Sequence, residues 1–403
     1  MRIPLNKNTI GASEKKALNK VLDSGYMTMG KVTRKFESEF AKYVGTKHAI
    51  YVNSGSSANL LAFSAIFDND KLHSKRERKK FLKKGDEVIV PAVTWSTTIW
   101  PISQVGATPV FVDSEPDTLQ MKVSDIKKAI SPKTKAICMV HVLGNSGYIN
   151  EVREICKKKK IWLIEDTCES LGVKNKSKYL GTFGDIGTYS FYFSHHMTTV
   201  EGGMIVTNDD YLSNKIKSMR SHGWTRDMTS ASEYEKLFPE IDPRFLFVNL
   251  GYNLRSTDMN AAIGLIQLKK LNKFNKKRHE IGIKWNKAFL KYTNQKLITP
   301  MQITKSTSAA WFGFPILCES MSMRDKLRKH LEKNNIETRP IICGNIVKQP
   351  AVKNIKHRIY GKLEGADEIM DKGIFWGSSP DMSVSEINYV IKVIKDFFKW
   401  KKR

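Results

Sequence analysis

The sequence has no run of about 18 apolar residues, the length a membrane-spanning helix needs. Its start, MRIPLNKNTI, lacks the apolar core of a secretory leader. Cysteine is sparse: five residues, at 138, 156, 168, 318 and 343, with no C-x-x-C pair. That rules against a disulfide framework and reads as reduced, mostly buried thiols of a cytoplasmic protein. Acidic residues are few beside basic ones, 40 against 67, so the 403-residue chain carries a formal charge of +27. Nucleic-acid binding is one reading of that excess. The lysines, however, are spread over helix faces such as KRERKKFLKK (75–84) and CKKKK (156–160) and the terminal KWKKR. No zinc finger or aromatic-interleaved basic motif goes with them. Solvated faces explain the charge better, with a positive field that draws in an anionic substrate as a further gain. No nucleic-acid partner and no membrane span are expected.

Seven strand-like apolar runs are present: 48–53, 86–92, 108–113, 135–142, 161–166, 187–193 and 202–208. Helical stretches such as SSANLLAFSAIF and NEVREICKKKK separate most of them, the rhythm of an α/β domain with a largely parallel sheet. From about residue 256 the pattern turns to one long helix and then to mixed α+β. We therefore expect a large domain over 1–260 and a smaller one over 261–403.

Five segments carry candidate chemistry, and all but the loop at 251–257 fall after strands. NSGSSANL (53–60) closes a strand and opens a helix. Gly55 permits the tight turn, and Ser56 and Ser57 sit where helix N-terminal amides are free. This is either a phosphate cradle or a plain helix cap. LIEDT (163–167) ends a strand with Glu165 and Asp166, either a partner for a protonated ring nitrogen or a cap or surface pair. TWSTT (94–98) offers Trp95 as a stacking ring or as core. GYNLRST (251–257) offers Asn253 and Arg255 as phosphate contacts or as residues that finish a turn, ahead of a helix capped by Ser256 or Thr257. The segment SFYFSHHMTTVEGGMIVTND (190–209) runs strand, polar turn, E-G-G, strand, with His195 and His196 in the turn.

Together these segments, with IEDTCESLG, GTFGDIGTYSF and ETRPIICGNIVKQPA, make the chain resemble the DegT/DnrJ/EryC1/StrS sugar aminotransferases over nearly its whole length. The resemblance implies the fold-type-I architecture of pyridoxal-phosphate enzymes. That is a mostly parallel seven-stranded sheet flanked by helices, with a smaller α+β C-terminal domain. It also implies roles. Gly55, Ser56, Ser57 and Ser190 would hold the cofactor phosphate, and Asn253 would reach it from a partner subunit in a homodimer with shared active sites. Trp95 would stack on the ring and Asp166 would face the pyridine nitrogen. Glu169 stands where the aminotransferases usually carry Gln.

The chain departs from the aminotransferase pattern at one position. Counted from Ser190, the lysine that tethers the cofactor in those enzymes falls on His195, and Lys174, Lys176 and Lys178 precede the strand. Imidazole cannot form that tether. The cofactor is therefore expected to be held non-covalently, as pyridoxamine or pyridoxal 5'-phosphate, with glutamate as amino donor. The same replacement occurs in the nucleotide-sugar 3-dehydratase branch, which implies a nucleotide-diphosphate sugar as substrate and His195 as general base. Some members of that branch carry a [2Fe-2S] cluster on four cysteines in the C-terminal half. Only Cys318 and Cys343 lie beyond residue 168, so neither that cluster nor any metal is expected. His196 (direct role or packing), His222 (substrate channel or structure), Arg255 and Arg339 complete the candidate substrate contacts. The stretch TRDMTSASEYEKLFPEIDPRFLF (225–247) departs from the relatives and is expected to form a substrate loop.

Overall fold

The computed structural model describes residues 1–67 and 81–400. The basic runs at 75–84 and 399–403 fall largely outside them. Along the chain the strands are β1 (His48–Val52), β2 (Glu87–Pro91), β3 (Thr108–Val112), β4 (Thr134–Val140), β5 (Trp162–Asp166), β6 (Lys174–Asn175), β7 (Lys178–Tyr179), β8 (Ile186–Ser190), β9 (Gly203–Thr207), β10 (Ile298–Pro300), β11 (Gly313–Cys318), β12 (Thr338–Arg339), β13 (Arg358–Ile359) and β14 (Gly373–Gly377). The seven runs read from the sequence all form strands of one sheet. Its order is β1-β9-β8-β5-β4-β2-β3-β13, and only β9 runs against the rest.

One correction concerns the eighth member. β13 comes from the C-terminal part of the chain and pairs in parallel with β3, Arg358 opposite Val110. Two residues are too few to show a period, so the sequence carries no sign of it.

The continuous apolar character of the central strands follows from their position. Helices cover both faces, so β2, β3, β5, β8 and β9 are buried at every residue. One face packs Ile50, Ala58, Phe63, Val90 and Ile164; the other packs Ile89, Val110, Ile137 and Leu163.

The helix Asp258–Asn294 runs to 37 residues, about 55 Å at 1.5 Å per residue. Thr257, the second of the two expected caps, starts it by accepting from the Asn260 amide. Asp258 faces away and caps a different helix, Lys31–Val44. Its carboxylate accepts from the amides of Gly30, Val32 and Thr33 and from the Thr33 hydroxyl, at 2.6–3.1 Å. Further on, Trp285 and Phe289 of the same helix enter the core under the antiparallel sheet β10-β11-β14-β12. The long helix thus packs against both the N-terminal helices and the C-terminal sheet. Among the described residues, no helix is long and apolar enough to cross a membrane.

Candidate active site

The C-terminal ends of β1, β2, β4, β5 and β8 open on one side of the sheet, the usual ligand edge of a parallel α/β fold. A cavity of about 400 Å³ lies there. Gly55, Ser56, Trp95, Asp166, Glu169, Ser190 and His195 line it, seven side chains or backbone units drawn from positions 140 residues apart in sequence.

Its floor is set by close backbone approach. A Cβ on Gly55 would stand 2.6 Å from the Ser190 Cβ, and one on Gly203 would stand 2.2 Å from the Ser54 carbonyl oxygen. Glycine at both positions lets the start of the Gly55–Ala65 helix sit against the ends of β8 and β9. Ser54 caps that helix by accepting from the Ser57 amide at 3.0 Å. Among the described residues, the amides of Gly55 and Ser56 have no acceptor. Free amides, the Ser56 and Ser190 hydroxyls and a helix N-terminus suit a phosphate dianion. Ser57 does not line the cavity; its hydroxyl accepts from Ser54 Oγ at 3.0 Å.

On the opposite wall Trp95 is 58% exposed, so it is not a core residue. Asp166 is buried, and its Oδ2 accepts from Asn59 Nδ2 and Thr98 Oγ1, both at 2.8 Å. Asn59 is itself oriented by the Thr188 hydroxyl at 2.6 Å. Sequence reasoning missed Asn59 and Thr98, yet Asn59 carried a signal as a lone amide in the apolar helix face ANLLAF. Glu165, one residue before Asp166, points to the other side because strand side chains alternate. It accepts from the amides of Gly181, Phe183 and Gly184 at 2.6–2.8 Å and pairs with His141 Nε2 at 3.1 Å. That makes it the anchor of the 181–184 turn.

His195 lies opposite Asp166. Its Nδ1 is 2.7 Å from the Cys168 carbonyl oxygen. A carbonyl only accepts, so Nδ1 carries the hydrogen and Nε2 keeps the lone pair. Burial pushes the imidazole down to about 4, with Arg278 adding to the effect and the Cys168 carbonyl and Asp166 opposing it. The ring is therefore neutral at pH 7. Burial pushes the neighbouring Glu169 carboxyl up to about 7, with the Asp166 charge in support and the Leu143 amide against. Glu169 Oε2 accepts from that amide at 3.0 Å.

Several expected contacts lie elsewhere. His196 is buried, with Nε2 2.8 Å from the Ala310 carbonyl, and it does not line the cavity. His222, Asn253 and Arg255 form their own exposed cluster. Arg255 donates to Asn253 Oδ1 at 3.1 Å and contacts His222 Nε2 at 3.1 Å. Arg339 donates to the Thr338 carbonyl at 2.8 Å on β12. None of these five residues lines the cavity.

The model of one protein family, described as the DegT/DnrJ/EryC1/StrS aminotransferase family, matches residues 8–395. The chain belongs to that family. One family relative, GDP-4-keto-6-deoxy-D-mannose 3-dehydratase of Escherichia coli O55:H7, is 38% identical over 398 residues, 97% of this chain and 99% of the relative. A crystal structure of GDP-4-keto-6-deoxymannose-3-dehydratase with a trapped PLP-glutamate geminal diamine aligns with a TM-score of 0.88. It is 36% identical and covers 97% of this chain and all of its own. A mutant of the same enzyme with bound GDP-perosamine aligns at 0.86, again 36% identical, covering 98% of this chain and 100% of its own. The DegT/DnrJ/EryC1/StrS fold accounts for the large mixed sheet and the additional C-terminal sheet.

Proposed function

We propose that this protein is a pyridoxamine/pyridoxal 5'-phosphate-dependent 3-dehydratase acting on a 4-keto-6-deoxy nucleotide sugar. It removes the C3 hydroxyl to give a 4-keto-3,6-dideoxy sugar for surface-polysaccharide biosynthesis. The observation that carries this reading is His195: a neutral imidazole at the cavity wall, in a cavity that no lysine lines among the described residues. The relatives named above support a GDP-linked sugar, with L-glutamate restoring the amine after each turnover.

The residues present fit the cofactor. The Gly55 and Ser56 amides and the Ser56 and Ser190 hydroxyls would hold its phosphate, Trp95 would stack on its ring, and Asp166, fixed by Asn59 and Thr98, would pair with its ring nitrogen. When bound, pyridoxamine phosphate supplies an amine for the sugar's C4 ketone and a ring that accepts electrons. His195 Nε2 takes a proton from the carbon bearing that amine and delivers it to the departing C3 hydroxyl. The Cys168 carbonyl keeps Nδ1 protonated, so Nε2 alone moves the proton. Glu169, protonated below about pH 7, would donate a hydrogen bond to the cofactor's polar edge.

We further propose a homodimer with shared active sites. The stretch 237–250 carries exposed Leu237, Ile241, Phe245, Phe247 and Leu250, the last 80% exposed, an apolar surface of the kind that a second copy covers. In this arrangement Asn253 reaches the cofactor phosphate from the partner, and His222 and Arg255 approach the nucleotide.

The test is incubation with pyridoxamine phosphate, glutamate and GDP-4-keto-6-deoxymannose. A 3-deoxy product with released ammonia is expected. A borohydride-reducible bond between the wild-type chain and pyridoxal phosphate would reject this reading in favour of an aminotransferase. Absence of product with every GDP-, CDP- and dTDP-linked ketosugar would point to a silent sugar-nucleotide-binding homologue.

A further inference from the structure

The segment Ala309–Phe312 crosses behind His195 on its way to β11, and an unusual number of side chains hold its backbone. His279 Nδ1 contacts the Ala309 carbonyl at 2.8 Å, and His196 Nε2 contacts that of Ala310 at 2.8 Å. Arg278 Nη1 donates to the carbonyls of Trp311, Phe312 and Ser378 at 3.0–3.2 Å. The amides of Ala310 and Phe312 donate to Gly144 and Leu143. Arg278 is 1% exposed and meets only carbonyl oxygens. A buried guanidinium with no direct carboxylate partner carries a large desolvation cost, which the Asp381 charge and these carbonyls oppose.

What the clamped segment presents is Phe312. Its ring stands edge-on to His195, centroids 5.0 Å apart at 70°, and also touches His196 at 5.9 Å. Tyr192 approaches His195 at 6.2 Å and 84°. The imidazole is thus held by one hydrogen bond, to Cys168, and by two ring edges.

We propose that Phe312 is a positioning residue for the dehydration. Clamped by Arg278 and seated against His196, it shields the His195 imidazole from water and holds it in one rotamer, with Nε2 toward the substrate. This rests on the dehydratase reading above and assigns His196 a supporting contact. The charged or titratable groups around His195 are Asp166 from β5, Arg278 from the long helix and the adjacent His196, with Glu169 and Glu201 lining the same cavity. Phe312 adds no charge, so its removal moves the His195 titration through hydration and the rate through lost alignment.

The experiment follows the ring resonances of isotope-labelled histidine in the pyridoxamine-phosphate holoenzyme across pH. The chain has nine histidines, and the His195 signal is the one missing from His195→Asn. In Phe312→Ala the His195 midpoint should rise toward about 6.5 as water reaches the ring. The acid limb of the kcat profile should move up with it. We expect kcat to fall at least about tenfold, because a loosened base loses its aligned geometry, while KM changes less than about twofold. Phe312→Leu, which keeps apolar bulk, should fall between the two in midpoint and kcat. Should the Ala variant not fold, the Leu variant decides by itself. A wild-type midpoint and wild-type kcat in the folded variants overturn the proposal. If His195→Asn is inactive in that case, the dehydratase reading stands without it. Activity retained by His195→Asn removes the dehydratase reading, whatever Phe312 does to the titration.

Discussion

The Cys168 carbonyl receives the Nδ1 hydrogen of His195 at 2.7 Å, and burial keeps the ring neutral down to about pH 4. A base with these properties is unprotonated over the whole physiological range. The acid limb of kcat should accordingly lie below the ordinary histidine value of about 6.5, as a pH–rate profile will show. Replacement by Asn should lower kcat by about 10²–10⁴, the usual contribution of a positioned general base. His195→Lys should instead bind pyridoxal phosphate covalently and lose dehydration. Glu169 titrates in the opposite sense. Its folded value, about 7, lies above the ordinary 4.5, so the native chain holds that proton between those limits and stability falls as pH rises through them. Glu169→Gln should flatten this slope, with a larger gain in Tm over wild type at pH 8 than at pH 5.

Within β5 the pleat separates two adjacent carboxylates by task. Asp166 faces the cavity; Glu165 faces the 181–184 turn and holds three of its amides. Asp166→Asn should therefore leave the melting temperature nearly unchanged and weaken cofactor binding, measured by spectroscopic titration. Glu165→Ala should leave buried donors unpaired and destabilise the fold by about 3 kcal/mol in chemical denaturation. The long helix shows a comparable division. Thr257 caps its own helix, whereas Asp258 caps Lys31–Val44 from outside. A cap supplied from 225 residues away is invisible in sequence, because the preference that marks a cap is local.

For the whole molecule, the exposed His222–Asn253–Arg255 cluster stands apart from the cavity lined by Gly55, Ser56, Trp95, Asp166, Glu169, Ser190 and His195. If the partner subunit completes each site, mixing inactive His195→Asn and Asn253→Ala chains should restore activity. Heterodimers would carry both lesions in one site and none in the other. Random reassortment into a two-fold dimer places about a quarter of all sites in that intact state. No recovery after verified subunit exchange would show that each chain builds its site by itself.

Much of the architecture was legible in the chain. Seven strands, the Gly55 turn and the carboxylate-bearing strand end at 165–166 are contiguous patterns that local chemistry marks, whereas the histidine at the tether position is marked by the family resemblance. Free amides follow a strand where a helix N-terminus follows a strand. The missing lysine shows only against the family pattern, and that resemblance implied the reaction class before any coordinates. Tertiary packing decided the rest. It turned Asp166 rather than Glu165 toward the cavity, since parity along a strand has meaning only once the sheet has two distinct faces. It placed Asn59 and Thr98 on Asp166 and the Cys168 carbonyl on His195. It also brought Phe312 behind that ring from beyond the long helix and added β13 to the large sheet. Each of these depends on contacts between distant segments, whose partners are chosen by burial and hydrogen-bond satisfaction in the folded chain and leave no periodic trace in the sequence.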